Sequence, residues 1–271
     1  MAKLFVSDID GTLLNSKNEI SNNTKKAFEL LVNDGYDIAL CSGRGLASVK
    51  ANMKLLGRDG YAIGNNGAVI SYGEDVIYSN PIPLDKLLKI YDVTVKRGYG
   101  FHMYDRDTYY SNYYDKKVLG HLFLDDPIRK QANGYFDEHI MEYIKKNNVD
   151  IYKFMLHMSF TDDMECYESI SNIGGLYLSM SGYMSSDVMN FGVNKGNSID
   201  VIRKNSRKDY DFIVAIGDHE NDIPMIEKAD FGIAMGNAIE PLKAASDYIT
   251  QTNDNDGLYK AVKFLIEGKR K

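Results

Sequence analysis

Two aspartates stand two positions apart near the start of the chain. Asp8 and Asp10 belong to the stretch Lys-Leu-Phe-Val-Ser-Asp-Ile-Asp-Gly-Thr-Leu-Leu at residues 3–14. The apolar run that stops at Asp8 predicts a strand with both carboxylates at its carboxyl end. Like charges this close repel, and one pKa rises unless a cation lies between them. Read alone, the stretch also fits a strand and an ordinary Asp-Gly turn. A second acidic pair decides between the two readings. Gly217-Asp218-His219-Glu220-Asn221-Asp222 follows another apolar run, residues 211–216. Asp218 ends that strand and Asp222 opens a helix. Four carboxylates on one sheet edge would repel strongly. A hard divalent cation removes the conflict, and Mg2+ favours a few carboxylates plus waters and a substrate phosphate. Lys195 adds a point charge and Ser42 a hydroxyl, both suited to a phosphoryl group.

Short apolar runs alternating with helices must position these residues. Ser21 is a fitting N-cap for a helix over 25–33, and Gly35 offers a stop. Residues 36–41 form a second strand, ending at Ser42-Gly43-Arg44-Gly45, and 46–56 a helix. Residues 61–64 form a third strand, closed by Asn65-Asn66-Gly67, and a hairpin follows with its turn at 72–75. This rhythm predicts βαβ units on a parallel sheet, with chemistry at the carboxyl ends of the strands. Asp8, Ser42 and Asn65 would converge there.

Pro81 and Pro83 then suit a stiff linker. Residues 84–185 are dense in tyrosine, including Tyr104, Tyr109, Tyr114 and Tyr183. Helices over 84–96, 135–146 and 162–173 mix with strands over 99–104, 150–158 and 175–180. The expectation is an inserted α+β domain at 83–186 within a core formed by 1–82 and 187–271. The tyrosines read as half-buried packing residues. After Asp187 the βαβ rhythm returns: a helix over 198–205 behind Lys195-Gly196, strands at 211–216, 231–234 and 248–250, and helices at 240–245 and 257–267.

The length of 271 residues suits two domains at about 150 each. A net charge of −6 opposes polyanion binding, and no Lys/Arg run marks a nucleic-acid surface. The one basic cluster, Lys269-Arg270-Lys271, reads as a solvated end. Cys41 and Cys166 are two isolated thiols, small buried hydrophobes of a reducing compartment. No apolar stretch has the length of a membrane span, and Asp8 and Asp10 interrupt any signal-peptide core. A cytoplasmic protein, monomeric or a small homo-oligomer, with no nucleic-acid or membrane partner is the expectation.

Asp8-Ile9-Asp10-Gly11-Thr12-Leu13-Leu14, Cys41-Ser42-Gly43-Arg44, Lys195-Gly196 and Gly217–Asp222, in that order, resemble the haloacid dehalogenase (HAD) superfamily, and within it the Cof-type phosphatases with a large inserted cap. The Asn65-Asn66-Gly67-Ala68 turn adds to the likeness, which covers nearly the whole chain. The resemblance implies a Rossmann-like α/β core with an inserted α+β cap, and Mg-dependent hydrolysis of a small phosphorylated metabolite. It implies that Asp8 is the nucleophile that forms an aspartyl-phosphate, and Asp10 the general acid and then base. Asp8, the Asp10 carbonyl and Asp218 would hold Mg2+, with Asp222 a further ligand or a support behind it. Lys195, Ser42 and the Gly43 amide would stabilise the phosphoryl oxygens. Thr12 would brace the loop, and Asn221 would orient Lys195 or the substrate.

Plainer roles stand beside these. Thr12 and Ser42 also suit local backbone caps. Arg44 reaches either the substrate or a surface partner. His102, His121, His139, His157 and His219 form no ligand pattern, and His102 and His157 are the cleft candidates. A phosphomutase of the same superfamily uses the same nucleophile. A phospho-accepting receiver module shares the acidic site, but Asp10 and the large insert have no purpose there.

Overall fold

The structure, a computed structural model, describes residues 2–113, 133–182, 185–206 and 208–268. Tyr114, His121, Tyr183 and the basic cluster at Lys269, Arg270 and Lys271 lie outside these residues.

Eight strands form the first sheet. They are β1 (Ala2–Ser7), β2 (Tyr36–Cys41), β3 (Tyr61–Gly64), β4 (Val69–Tyr72) and β5 (Asp75–Ser79), then β12 (Tyr210–Gly217), β13 (Phe231–Ala234) and β14 (Tyr248–Ile249). Their order is β14-β13-β12-β1-β2-β3-β4-β5. From β14 to β3 every pairing is parallel, and β4 and β5 add an antiparallel edge. Parallel strands are covered on both faces and so read as unbroken apolar runs. Leu4, Phe5 and Val6 in β1, and Ile213 to Ile216 in β12, are all fully buried. Ser7 pairs with Ile216 on one side and Leu40 on the other. That register delivers Asp8 between the ends of β12 and β2, and the Asp8 N–H donates to the Ile216 carbonyl at 3.0 Å.

Helices cover this sheet: α1 (Asn22–Asn33), α2 (Leu46–Leu55), α6 (Lys195–Asn205), α7 (Ile223–Lys228), α8 (Glu240–Ala245) and α9 (Gly257–Glu267). Ser21 caps α1 by accepting from the Thr24 N–H at 3.0 Å, which satisfies a donor left over in the first turn.

The second sheet has its own apolar core, with Leu87, Ile90, Phe101, Ile140, Phe154 and Val188 at its centre. Its strands are β6 (Phe101–Tyr104), β7 (Thr108–Ser111), β8 (Asn133–Phe136), β9 (Lys153–Leu156), β10 (Leu176–Gly182) and β11 (Ser185–Asn190), in the order β10-β11-β9-β6-β7-β8. Helices α3 (Leu84–Lys96), α4 (Ile140–Asn147) and α5 (Met164–Ser171) pack against it.

Three expectations shift. Residues 135–146 do not form one helix. Tyr135 instead pairs with Tyr110 in β8 and stacks on Tyr143 at 4.0 Å, and the Asp137 carboxylate accepts the His139 N–H before α4 begins. The aromatic spacing that imitates a helix is a strand and a helix sharing one cluster. The first sheet's rhythm does not return at Asp187, because Asp187 lies inside β11. That strand alternates Ser186 and Val188 opposite Leu156 and Phe154 of β9. The crossing back comes after Asn190, whose side-chain amide donates to the Asn80 side chain at 2.7 Å, tying the two crossings together. Finally, α6 starts at Lys195 itself rather than after Gly196, capped by Asn194, which accepts the Asn197 N–H at 2.8 Å.

Candidate active site

The carboxyl ends of β1 and β12 and the first turn of α6 meet at a buried charged group. The Lys195 ammonium lies 2.6 Å from Asp8 Oδ1 and 2.6 Å from Asp222 Oδ1. All three side chains are buried. Asp222 Oδ2 accepts the backbone N–H groups of Asp218 and His219, each at 3.0 Å. Asp222 is thus fixed by the turn it closes and in turn fixes Lys195. Gly196 lets α6 approach so closely, because a Cβ there would sit 2.3 Å from the Pro224 carbonyl oxygen.

Asp218 sits beside them, half-buried. Thr12 Oγ1 donates to its Oδ1 at 3.2 Å, and the Asn237 amide donates to its Oδ2 at 3.2 Å and to the Gly11 carbonyl at 2.9 Å. Asp8, Asp218 and Asp222 each place a carboxylate oxygen within 4.8 Å of the others. An all-oxygen carboxylate set of this size fits a hard divalent cation.

The charges follow from this crowding. Burial, and then the Asp222 charge, push the Asp8 carboxyl well above its ordinary range, against the opposing pull of Lys195. Burial and Asp222 push Asp218 up to about 7. Burial alone would lower the Lys195 ammonium, but Asp222 and Asp8 outweigh it and raise it. Burial pushes the Cys41 thiol up to about 12, so it is an inert neighbour 3.9 Å from Ser198 Oγ.

Residues after Asp8 form one wide turn, closed by the Leu14 N–H donating to the Ile9 carbonyl at 2.9 Å. Gly11 sits in it at φ +77°, and a Cβ there would be 2.3 Å from Asp218 Oδ2. Asp10 stands outside the group of three carboxylates. Its side chain is 54% exposed and pairs bidentately with Arg44, through Nε at 2.8 Å and through Nη2. Arg44 therefore finds its partner in Asp10, an exposed carboxylate of the same edge.

The loop after β2 is tightly tied. Ser42 Oγ accepts the Arg44 N–H at 3.2 Å. The Asn66 and Asn65 N–H groups donate to the Ser42 and Arg44 carbonyls at 2.9 and 2.8 Å. Both asparagines stand at positive φ, 50° and 56°, and Gly43 passes close to the Asn66 side chain. The Asn221 amide donates to Asn66 Oδ1 at 3.1 Å, while Asp222 bonds Lys195. Asn66, which the sequence shows as a turn former, and Asn237, which it does not single out, both bond to residues of this edge.

In the second sheet, His102 Nδ1 and His157 Nε2 lie 2.7 Å apart, and His102 Nε2 is 2.6 Å from the Tyr104 hydroxyl. Tyr104 and Tyr109 pack with ring centroids 4.4 Å apart. His219 reaches the site through its backbone, while His139 is exposed beside Glu138.

Comparison with known proteins agrees with this geometry. The model of the haloacid dehalogenase-like hydrolases matches residues 5–262. Phosphatase YwpJ of Bacillus subtilis is 26% identical over 97% of this chain and 100% of its own length. The 5-amino-6-(5-phospho-D-ribitylamino)uracil phosphatase YcsE of the same organism is 25% identical over 97% of this chain and 96% of its own. A haloacid dehalogenase-like hydrolase from Bacteroides thetaiotaomicron superposes with a TM-score of 0.82 at 27% identity, covering 98% of this chain and 100% of that one. A sugar phosphatase of HAD subclass IIB gives 0.81 at 26% identity, with 98% and 99% covered. Fold, acidic site and motif order converge, and the chain belongs to the haloacid dehalogenase-like hydrolases.

Proposed function

We propose that this phosphoric monoester hydrolase is magnesium-dependent and cleaves a small phosphorylated metabolite through an aspartyl-phosphate on Asp8. The observation that carries the reading is the cluster of Asp8, Asp218 and Asp222, two of them buried against one lysine. Lys195 binds Asp8 through Oδ1 only, which leaves Oδ2 as the attacking oxygen.

That oxygen forms a bond to phosphorus while the bond to the leaving-group oxygen breaks. Asp10 gives the leaving oxygen a proton and later takes one from the water that attacks the aspartyl-phosphate. Phosphate departs and Asp8 is restored. Lys195 and the Ser42-Gly43 loop hold the phosphoryl oxygens as charge builds on them. Asp8, Asp218 and the Asp10 carbonyl would hold the metal, with Asp222 a further ligand or a support behind them. When bound, the metal screens the carboxylates and polarises the phosphoryl oxygens.

The second sheet, with α3 to α5, serves as a cap over this edge, excluding water and meeting the leaving group. The activities named for the relatives, a sugar phosphatase and a ribitylaminouracil-phosphate phosphatase, support a small phosphorylated metabolite as substrate. A phosphate-release screen over a metabolite panel, with and without magnesium, tests the reading. Release that needs magnesium and disappears in Asp8→Asn supports it. Isomerised substrate without free phosphate would assign a mutase instead.

A further inference from the structure

The second sheet reaches the Ser42–Arg44 loop through β9. Three consecutive carbonyls, of Ser42, Gly43 and Arg44, all have donors. The outer two accept from Asn66 and Asn65 of the first unit. The middle one, Gly43, accepts from Lys153 Nζ of β9 at 2.8 Å. Lys153 also lies 3.3 Å from Asp187 Oδ2 of β11 and 4.2 Å above the Tyr104 ring. Both charged side chains are almost wholly buried, at 3% and 1% exposed. The same Asp187 oxygen accepts from the Asn66 amide at 3.2 Å, and Asn66 Oδ1 accepts from Asn221. One chain of polar contacts runs from Gly43 through Lys153, Asp187 and Asn66 to Asn221, next to Asp222.

Stability alone does not explain this pair. Asp187 Oδ1 is buried with no hydrogen-bond partner. An apolar pair of similar volume would fill the space without stripping water from two charges. What the pair adds is a charged donor on one loop carbonyl and a charged acceptor on one side-chain amide. We infer that Lys153 and Asp187 are positioning residues for the hydrolysis, making the shape of the phosphate loop depend on the second sheet being seated against it. The inference rests on the phosphatase reading above. Neither residue touches the reacting atoms.

Three variants test it: Lys153→Met, Lys153→Arg, and the double variant Lys153→Met with Asp187→Leu. Each is melted thermally, assayed for kcat and KM, and titrated with inorganic phosphate in magnesium by calorimetry and by inhibition. Lys153→Met should weaken phosphate binding about tenfold, the scale seen when a supporting residue behind a site is lost. Lys153→Arg should recover part of it. The double variant should melt no lower than the native chain yet keep the weakened phosphate binding. A merely structural role would shrink the active fraction and leave phosphate affinity unchanged. Unchanged affinity in a folded Lys153→Met chain, or failure of both Met variants to fold, overturns the inference. A native chain that neither releases phosphate from the panel nor binds it overturns the phosphatase reading and this one together. A native chain that does both confines any failure to the pair.

Discussion

Asp222 and Asp8 share one cation: the Lys195 ammonium stands 2.6 Å from a carboxylate oxygen of each. The two acids play different parts. Both Asp222 oxygens are committed, one to Lys195 and the other to two backbone N–H groups. Asp8 keeps one oxygen out of the lysine's grip. A doubly held carboxylate and a singly held one are thereby set around a single charge.

Removing that charge should harm both fold and rate. Lys195→Met leaves two carboxylates buried without their partner, and breaking a buried pair from one side costs about 3–5 kcal/mol. The rate should fall by roughly 3 kcal/mol, the loss seen for one oxyanion donor. Urea unfolding and steady-state assays measure the two separately. A native rate in a folded Lys195→Met chain would place Lys195 outside the site.

Asp8→Asn should separate chemistry from stability. Asn is isosteric and neutral, and burial and Asp222 already disfavour the charged form of Asp8 when no cation is bound. Stability without metal should therefore fall by less than the roughly 3–5 kcal/mol of breaking a buried pair from one side, because Asp222 still holds Lys195. Turnover should vanish, since an amide does not attack phosphorus. Persisting magnesium-dependent phosphate release would remove Asp8 as nucleophile.

Much of this was legible in the sequence. Asp8 and Asp218 end unbroken apolar strands, and a parallel sheet has only one edge where such ends meet. The helix α3 and the strand β2 fall where periodicity puts them. What stayed hidden is side-chain pairing across long separations. Arg44 reads as reaching either the substrate or a surface partner, and only the fold sets it against Asp10. Asp187 reads as the start of the returning core region, because the residues of β11 do not say which sheet they join. Lys153 carries no signal beyond its place in an expected strand, and meets the Ser42–Arg44 loop only through the fold.

The metal-free protein should lose stability as pH rises from about 4 to about 7. The Asp218 carboxyl is raised from 3.8 to about 7 by burial and by Asp222. Its folded form therefore holds a proton that the unfolded chain has already released. Stability falls with pH wherever the native state binds the more protons. Magnesium should flatten the slope by favouring the charged form, and Asp218→Asn should remove this group's share of it. Denaturation midpoints across that window, with and without magnesium, measure the effect. A slope of the opposite sign in the metal-free chain would refute it.

Gly11→Ala tests how closely the first loop must approach Asp218. Gly11 has φ +77°, and its new Cβ would lie 2.3 Å from Asp218 Oδ2. Gly98 has φ +72° with nothing within 4 Å of a Cβ, so Gly98→Ala carries the backbone strain without the clash. Both variants should lose about 1–3 kcal/mol of stability from a residue forced into the left-handed region. Only Gly11→Ala displaces a carboxylate of the acidic cluster. Its magnesium requirement should rise by about tenfold or more, the scale for disturbing a ligand's support. Activity as a function of magnesium gives the readout. An equal magnesium requirement in the two variants would show that Asp218 yields to the methyl group freely, and that its placement by Gly11 is not what the cation site needs.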